Sequence, residues 1–367
     1  MEHQSQGIVD ALDFRTVLEH EDGHGTKFTF IVPTDVTGSG AKLSVLELKN
    51  QLREARTALT EQGKTEAEVT HFLSPVSDLL EDSSYWHLQS RSLVVFLTEG
   101  FFLPVRVPVQ LPGRLTVGEH FDLLSLAAVL ASDSKLYVLA LTKNSVRLFN
   151  STRNAIEELP LENIPSSFEE VIEELPERVV DVRSGSAGAL GTPSFQGPDG
   201  DVDRVLLEQY IHAIGQAVGT RLGTARSQLL VLASVAEYLP IFQAACPYPA
   251  IYDGVIPGNP ERTLPDELRS AAWRLVNSHV TDVEAADHDR ASSRVHAGKG
   301  SFDLAEIAKA AEEGRVDTLY LARDDAHLSD AQLRELANRA LLGTLRNSGV
   351  LRTLGHIEHE AIATFRY

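Results

Sequence analysis

The chain has 367 residues, of which 43% are hydrophobic and 23% are charged, and its formal net charge is −19. This composition excludes an intrinsically disordered protein, and the length allows two or three domains with ordinary cores. The negative charge argues against a surface that binds nucleic acid everywhere, because phosphate contacts need clustered lysine and arginine, but it leaves room for a local basic patch.

The sequence also indicates a cellular location. A single cysteine, Cys246, excludes an internal disulfide framework and fits a reducing compartment. The first residues lack the basic and apolar regions of a secretory signal, and no apolar run is long enough to span a bilayer. We therefore expect a soluble, cytoplasmic protein without membrane contacts.

The first 132 residues predict an α/β domain. A polar lead-in occupies residues 1–26 and precedes a strand at 28–32. Residues 43–59 follow helical spacing, and Thr65 with a glutamate three positions later forms the capping box of a second helix. The expected inward face of the first helix consists of Leu43, Leu46, Leu52, Ala55 and Leu59. A hairpin (93–97 and 101–105) and a short apolar helix (121–130) complete the domain.

The segment 133–260 begins with three consecutive strand patterns. Residues 136–141 are continuously apolar, residues 146–149 alternate, and residues 155–159 provide a third short strand, so together they predict an antiparallel meander. The following acidic stretch indicates a solvated helix face. A Gly-rich loop spans residues 183–200 and precedes a long helix, and a buried strand follows at 229–233.

The last segment, 261–367, alternates between helix and strand. Residues 264–280 are amphipathic, whereas residues 281–300 are polar and predict a solvated linker. Helices at 302–313 and 331–345, with strands at 316–321 and 362–365, predict an α/β sandwich. We expect the strand at Val316 to belong to a different sheet from the meander.

The order of these segments resembles the bacterial branch of the archaeo-eukaryotic peptide-chain release factors, which includes Pelota-like proteins. The meander at 136–159, the Gly-rich loop before a long helix, and the helix–strand unit at 302–321 carry the resemblance, and 86–96 and 257–260 also fit. The resemblance implies three domains: a family-specific α/β domain, an RNase H-like middle domain, and a C-terminal domain resembling kink-turn-binding ribosomal proteins. It implies a translation-associated protein that binds the ribosome or transfer RNA, without a cofactor.

Relatives that terminate translation have Gly-Gly-Gln in the loop before the long helix, where glycine backbone enters the peptidyl-transferase centre and glutamine positions water. The loop 183–200 lacks this tripeptide, and its nearest match is Gln196, with glycine on one side only. Gln196 is therefore a candidate catalytic residue, and a linker without chemistry is the alternative. The loop glycines with a candidate backbone role are Gly185, Gly188, Gly191 and Gly197.

Other constellations indicate weaker sites. His279, His288 and His296 lie near aspartates, but their spacing matches no compact zinc motif. His356 and His359 lie three positions apart and could chelate a metal on one helical turn, with an exposed loop or strand edge as the alternative, and we expect no metal. The candidates for RNA contact are the arginines Arg334, Arg339, Arg346 and Arg352. A solvated face of mixed charge is the alternative for these arginines.

Two functions remain open at this stage. The first is a release-factor-like protein that binds ribosome or transfer RNA without the usual peptide-release activity. The second is a protein-interaction or stress adaptor that has lost RNA binding and meets a protein partner through its acidic surface. Hydrolysis of peptidyl-transfer RNA through Gln196 is a third possibility.

Overall fold

The computed structural model describes residues 14–21, 25–36, 40–131, 135–174, 199–223, 228–323, 328 and 330–367. The helices in these residues are α1 (Phe14–Glu19), α2 (Ala41–Glu61), α3 (Glu66–Glu81), α4 (Ser83–His87), α5 (Ala127–Leu130), α6 (Phe168–Glu174), α7 (Asp199–Leu222), α8 (Tyr238–Ala245), α9 (Pro265–His296), α10 (Leu304–Glu312) and α11 (Ala331–Arg346). The strands are β1 (Lys27–Pro33), β2 (Ser92–Thr98), β3 (Phe101–Val107), β4 (Arg114–Gly118), β5 (Lys135–Leu141), β6 (Val146–Thr152), β7 (Ile156–Leu159), β8 (Leu229–Ser234), β9 (Ile251–Pro257), β10 (Gly300–Ser301), β11 (Val316–Ala322), β12 (Val350–Leu354) and β13 (Ile362–Phe365).

Within the described residues the strands form three sheets, with strand orders β3-β2-β1-β4, β7-β6-β5-β8-β9 and β10-β13-β11-β12. The predicted mixed α/β fold is thus confirmed, and so is the separation of the meander from the strand at Val316. The chain divides into two compact units, one made of Met1–Asp133 with Thr281–Tyr367 and the other of Ser134–Val280. The division into three domains at 132 and 260 stays a prediction.

In the unit Ser134–Val280, a five-stranded sheet is covered on both faces. Strand β5 pairs antiparallel with β6 and parallel with β8. Alternate side chains of β5 point to opposite faces: Leu139 packs in a cluster with helices α7 and α8, and Val138 packs with the first half of α9. Helix α7 packs closely against the segment after α8. A Cβ at Gly219 would overlap the ring of Pro247, so glycine allows this approach. The continuous apolar run of β5 therefore reflects burial from both sides.

The first sheet of the other unit is also apolar on both faces. Phe28 and Phe30 of β1 pack in a cluster with helices α2 and α3, while Ile31 of β1 and Phe96 of β2 belong to a second cluster. That second cluster includes Leu341 of α11 and further side chains of α10 and β11. The N-terminal and C-terminal segments thus share one hydrophobic core.

Several local predictions are confirmed. Thr65 and Glu68 form a complete capping box at the start of α3. Strands β2 and β3 form the predicted hairpin, and Gly100 in its turn adopts a positive φ of 75°, which glycine tolerates without strain. The meander is β5, β6 and β7.

Two predictions in the N-terminal part are wrong. Residues 14–19 of the expected lead-in form helix α1, because Val17 is fully buried in the shared core. The inward face of α2 is displaced from the predicted one: Leu43 and Leu46 are 73% and 51% exposed. The residues that α2 buries are Ser44, Leu48, Gln51, Ala55 and Leu59, because the burial stripe begins one residue later and follows steps of three and four.

A buried asparagine joins the two segments of this unit. The side-chain oxygen of Asn338, on α11, accepts hydrogen bonds from the backbone N–H groups of Leu123 and Leu124 at 3.0 and 3.1 Å. Its amide nitrogen donates to the carbonyl of Phe121 at 2.8 Å. One side chain therefore satisfies three backbone groups that lie more than 200 positions earlier in the sequence.

A second polar contact of this unit involves a histidine. Nδ1 of His120 lies 2.6 Å from a carboxylate oxygen of Glu21, whose side chain is fully buried, and the backbone N–H of Phe121 donates to the other oxygen at 3.1 Å. The hydrogen bond with Glu21 raises the pKa of His120, and burial opposes that shift.

Replacing Asn338 by alanine should lower the free energy of unfolding by about 3 kcal/mol, because three buried backbone groups each lose a hydrogen bond. In a Trp273→Phe background, Trp86 is the remaining tryptophan and its fluorescence during urea unfolding reports on its own unit. Asn50→Ala on α2 is the matched control, with an expected change within about 0.5 kcal/mol. Equal losses for the two variants would contradict a bridging role for Asn338.

The contribution of His120 should depend on pH. Because its folded pKa is raised, the protonated pair stabilises the fold fully below the ordinary histidine pKa, and this stabilisation is lost as pH rises through the raised folded pKa. Urea unfolding of the wild type and His120→Gln between about pH 5 and 8 should give a difference that shrinks toward the alkaline end. His71→Gln, exposed on α3, is the control, and a His120 difference that grows with pH would refute the assignment.

Candidate nucleic-acid interface

The predicted Gly-rich loop gives no geometry for a catalytic site. Residues 183–198 lie outside the described residues, and α7 begins directly afterwards at Asp199. The predicted site residues that lie outside the described part of the chain are Gly185, Gly188, Gly191, Gln196 and Gly197. The catalytic role of Gln196 and the backbone role of the glycines stay predictions.

The arginines predicted to contact RNA differ in their surroundings. Arg334, near the start of α11, donates to the hydroxyl of Ser125 at 3.2 Å and lies 3.6 Å from a carboxylate oxygen of Asp122. The side chains of Arg334 and Asp122 are only 18% and 6% exposed. The guanidinium of Arg334 thus takes part in the contact between the two segments of its own unit.

Arg339 and Arg346 lie on one face of α11, since seven residues are close to two helical turns, or about 10 Å along the axis. Arg339 donates to Glu312 at 2.5 and 2.9 Å, so its charge is balanced on the surface. Arg346 is exposed in the last turn. The structure therefore brings Arg339 and Arg346 onto one face and holds Arg334 apart, and their role in RNA binding stays a prediction.

Arg352 belongs to a different cluster, built around helix α9. The helix continues to His296, so the prediction of a solvated linker at 281–300 is wrong. The reason is that Ala291 and Asp287 are buried, Ala291 in a cluster with Tyr320 of β11. The second half of α9 thus covers a sheet face through a small residue and a carboxylate, which a search for large apolar side chains misses.

Asp287 accepts hydrogen bonds from two arginines. Its two carboxylate oxygens pair with Arg290, one turn later on α9, and with Arg352 on β12. The Asp287 side chain is 8% exposed, whereas the side chains of Arg290 and Arg352 are 73% and 38% exposed. The carboxylate therefore lies beneath the guanidinium groups and holds them toward solvent.

One turn earlier on α9, Glu284 forms a similar contact. It accepts from the guanidinium of Arg323, at the end of β11, and from the backbone N–H of Gly355 at 2.9 Å. A Cβ at Gly355 would lie 2.9 Å from a nitrogen of Arg323 and 3.1 Å from an oxygen of Glu284, so glycine allows this close approach.

Arg294 completes the group by donating to the carbonyl of Phe365 at 2.7 Å. We call Arg290, Arg294, Arg323 and Arg352 the arginine cluster. Burial raises the pKa of the Tyr320 hydroxyl. The positive charges of three members of the cluster, Arg352, Arg290 and Arg294, oppose that rise without cancelling it. Two carboxylates pair with three of the four guanidinium groups, and the fourth, Arg294, bonds a backbone carbonyl, so positive charge is in surplus within the cluster.

Of this cluster the sequence pointed only to Arg352, because the members come from three separate segments of the chain. Arg290 and Arg294 have the i, i+4 spacing that places two side chains on one helix face, and that spacing was the available signal. It was hidden by the assignment of 281–300 to a linker. Arg323 and Arg352 join the cluster through the parallel pairing of β11 with β12.

The predicted histidines do not form a metal centre. His279, His288 and His296 are spread over nearly five turns of α9, and His359 packs its ring against Phe302 at 4.2 Å between centroids. Among the residues that the structure describes, no three His, Cys, Asp or Glu side chains are arranged to hold a metal ion. Within the same residues, no helix combines the length and the apolar character that crossing a bilayer requires.

Comparison with known proteins gives a family match. The model of "Bacterial archaeo-eukaryotic release factor family 3" matches residues 135–315, from the first strand of the meander to the residue before β11. This match confirms the resemblance to the bacterial branch of archaeo-eukaryotic release factors that the segment order predicts. No curated protein matches the sequence.

Comparison with solved structures also gave matches of low identity and low TM-score. An archaeal translation termination factor, aRF1, is 12% identical, with 97% of each chain covered and a TM-score of 0.25. A model of ribosome-bound archaeal Pelota and ABCE1 is 11% identical, with 75% of this chain and 77% of that chain covered and a TM-score of 0.36. Dom34 of S. cerevisiae is 12% identical, with 75% and 81% covered and a TM-score of 0.34.

Replacing Asp287 by asparagine should lower the free energy of unfolding by about 2 kcal/mol, because a buried carboxylate that accepts from two guanidinium groups loses its charge. Asp289→Asn is the matched control on the same helix, since the Asp289 side chain is 85% exposed, and its effect should stay within about 0.5 kcal/mol. Trp86 fluorescence in the Trp273→Phe background measures both. An Asp287 variant as stable as the control would remove the structural role of the pair.

Proposed function

We propose that this chain is a translation-associated, release-factor-like protein that binds the ribosome or transfer RNA and lacks the usual peptide-release activity. The observation that supports the proposal is the family match over residues 135–315. The match includes the meander, the long helix α7 and helix α9 with its arginines. It therefore concerns the part of the chain in which the expected release loop and two members of the arginine cluster, Arg290 and Arg294, occur.

The lack of release activity is proposed from the sequence. The chain has no pair of adjacent glycines, so no Gly-Gly-Gln tripeptide is present at any position. Two adjacent glycines allow backbone conformations and close approaches that other residues do not. Gln196 followed by Gly197 supplies one glycine only, and a release reaction that depends on both is not expected from it.

The charge of the chain sets a condition on RNA binding. With a net charge of −19, long-range electrostatics repel a polyanion, so contact with RNA has to use a local positive surface and should weaken steeply with salt. The same acidity favours the second candidate, a cytoplasmic adaptor that meets a basic protein partner. A pull-down dominated by one protein and free of RNA would support this alternative.

Ribosome binding can be measured by sedimentation. The purified full chain should pellet with ribosomes at about 50 mM salt, and less of it at about 200 mM, because phosphate contacts release counterions. Stalled and vacant ribosomes should be compared, with the chain alone as the control. A chain that stays in the supernatant with both kinds of ribosome, at both salt concentrations, contradicts the proposal and favours the adaptor.

Peptide release can be assayed separately on ribosomes carrying labelled peptidyl-transfer RNA. We expect the wild type and Gln196→Ala to give the same background rate of peptide release. Release by the wild type that is lost in Gln196→Ala would overturn the proposed lack of activity and would make Gln196 a catalytic residue.

A further inference from the structure

The arginine cluster differs in sign from the rest of this acidic chain. Acidic side chains outnumber basic ones by 19 overall, whereas on the second half of α9 three guanidinium groups pair with two carboxylates and a fourth, that of Arg294, bonds a backbone carbonyl. The two carboxylates are 8% and 19% exposed. The positive groups are therefore the part of the cluster that an approaching molecule meets.

We infer that the arginine cluster binds the phosphate groups of RNA, with Arg290 and Arg294 making the direct contacts. The inference rests on the proposed function and assigns it a surface. It places the RNA contact on α9, next to Arg352 of β12, which the sequence suggested together with the arginines of α11.

The two contact residues are oriented before any ligand arrives. Arg290 is held by Asp287 and Arg294 by the carbonyl of Phe365. A guanidinium has five N–H donors in a rigid fork, so each of these contacts leaves donors available. Arg290 and Arg294 lie about 6 Å apart along the helix axis, on one flank. A pre-oriented guanidinium loses less side-chain entropy on binding than a free one.

Phosphate fits this cluster better than a carboxylate surface does. Guanidinium forks bind phosphate oxygens through two parallel, charge-assisted hydrogen bonds. The chain's overall field opposes every polyanion, so binding depends on short-range contacts, and these are what arginine supplies. Arg334, in contrast, is largely buried against Asp122, and Arg339 is paired with a surface glutamate.

The test uses the full chain and three labelled probes: a single-stranded RNA, an RNA hairpin and polyglutamate. Fluorescence anisotropy at salt concentrations from about 50 to 200 mM gives Kd and its salt dependence. The variant is Arg290→Gln with Arg294→Gln, which leaves Asp287 paired with Arg352 so that the fold is retained. Arg53→Gln with Arg204→Gln is the matched control, because both arginines are exposed and lie outside the cluster.

We expect the double variant to bind both RNAs about tenfold more weakly at low salt, with a salt slope about two units shallower, one for each lost phosphate contact. The control variant should match the wild type. Unchanged RNA affinity and slope in the double variant overturn the inference, as does wild-type binding to polyglutamate as tight as to RNA. If the circular dichroism spectrum of the double variant differs from that of the wild type, Arg294→Gln alone is measured instead. For this single variant we expect a salt slope about one unit shallower.

The outcome separates this inference from the proposed function. Pelleting with ribosomes together with unchanged RNA binding of the double variant rejects the cluster and keeps the function. RNA binding through the cluster without any pelleting keeps the cluster and rejects the function.

Discussion

Strands β1 and β2 are apolar on both faces, and this constrains the whole unit made of residues 1–133 and 281–367. Helices α2 and α3 follow closely in sequence and cover one face. The other face is covered by a cluster that draws on α10 and α11, far along the chain. Because each fully buried large apolar side chain stabilises the fold by about 1.5–3 kcal/mol, neither segment is expected to be stable without the other. The unit 134–280 is consequently an insertion between two halves of one core.

Apolar burial brings these two halves of the core together but does not fix their relative position. Buried polar groups fix it. Asn338 can satisfy the three backbone groups near Phe121 in one arrangement only, because hydrogen bonds are directional. Asp287 and Glu284 act similarly between α9 and the last sheet: Asp287 accepts from Arg352 of β12, and Glu284 accepts from Arg323 after β11 and from the N–H of Gly355. Burying a carboxylate is costly unless it is paired, so these positions need the arginines. The same ion pairs thus fix the position of α9 against the last sheet and hold the arginines at the surface.

The parts of the fold that depend on residues close together in the sequence could be predicted from it. The capping box at Thr65, the hairpin around Gly100 and the three-stranded meander are set by local spacing and turn chemistry. The exposure of Leu43 and the helix through residues 281–296 could not be predicted, because both depend on which partner lies opposite. In α9 the inward residues include an aspartate whose arginine partner lies 65 positions away.

The residues of the candidate site also divide into those that local sequence points to and those that only distant contacts bring together. Gln196 could be proposed from a motif, and no described residue bears on it, whereas the arginine cluster has no motif and is visible only in three dimensions. A match to a family of release factors indicates a fold and a setting, but chemistry resides in particular side chains. This chain lacks the adjacent glycines that a release loop uses, and it has guanidinium groups held over the buried carboxylate of Asp287. Of the two features, only the second has a described geometry, and that geometry is what the proposal of phosphate binding is argued from.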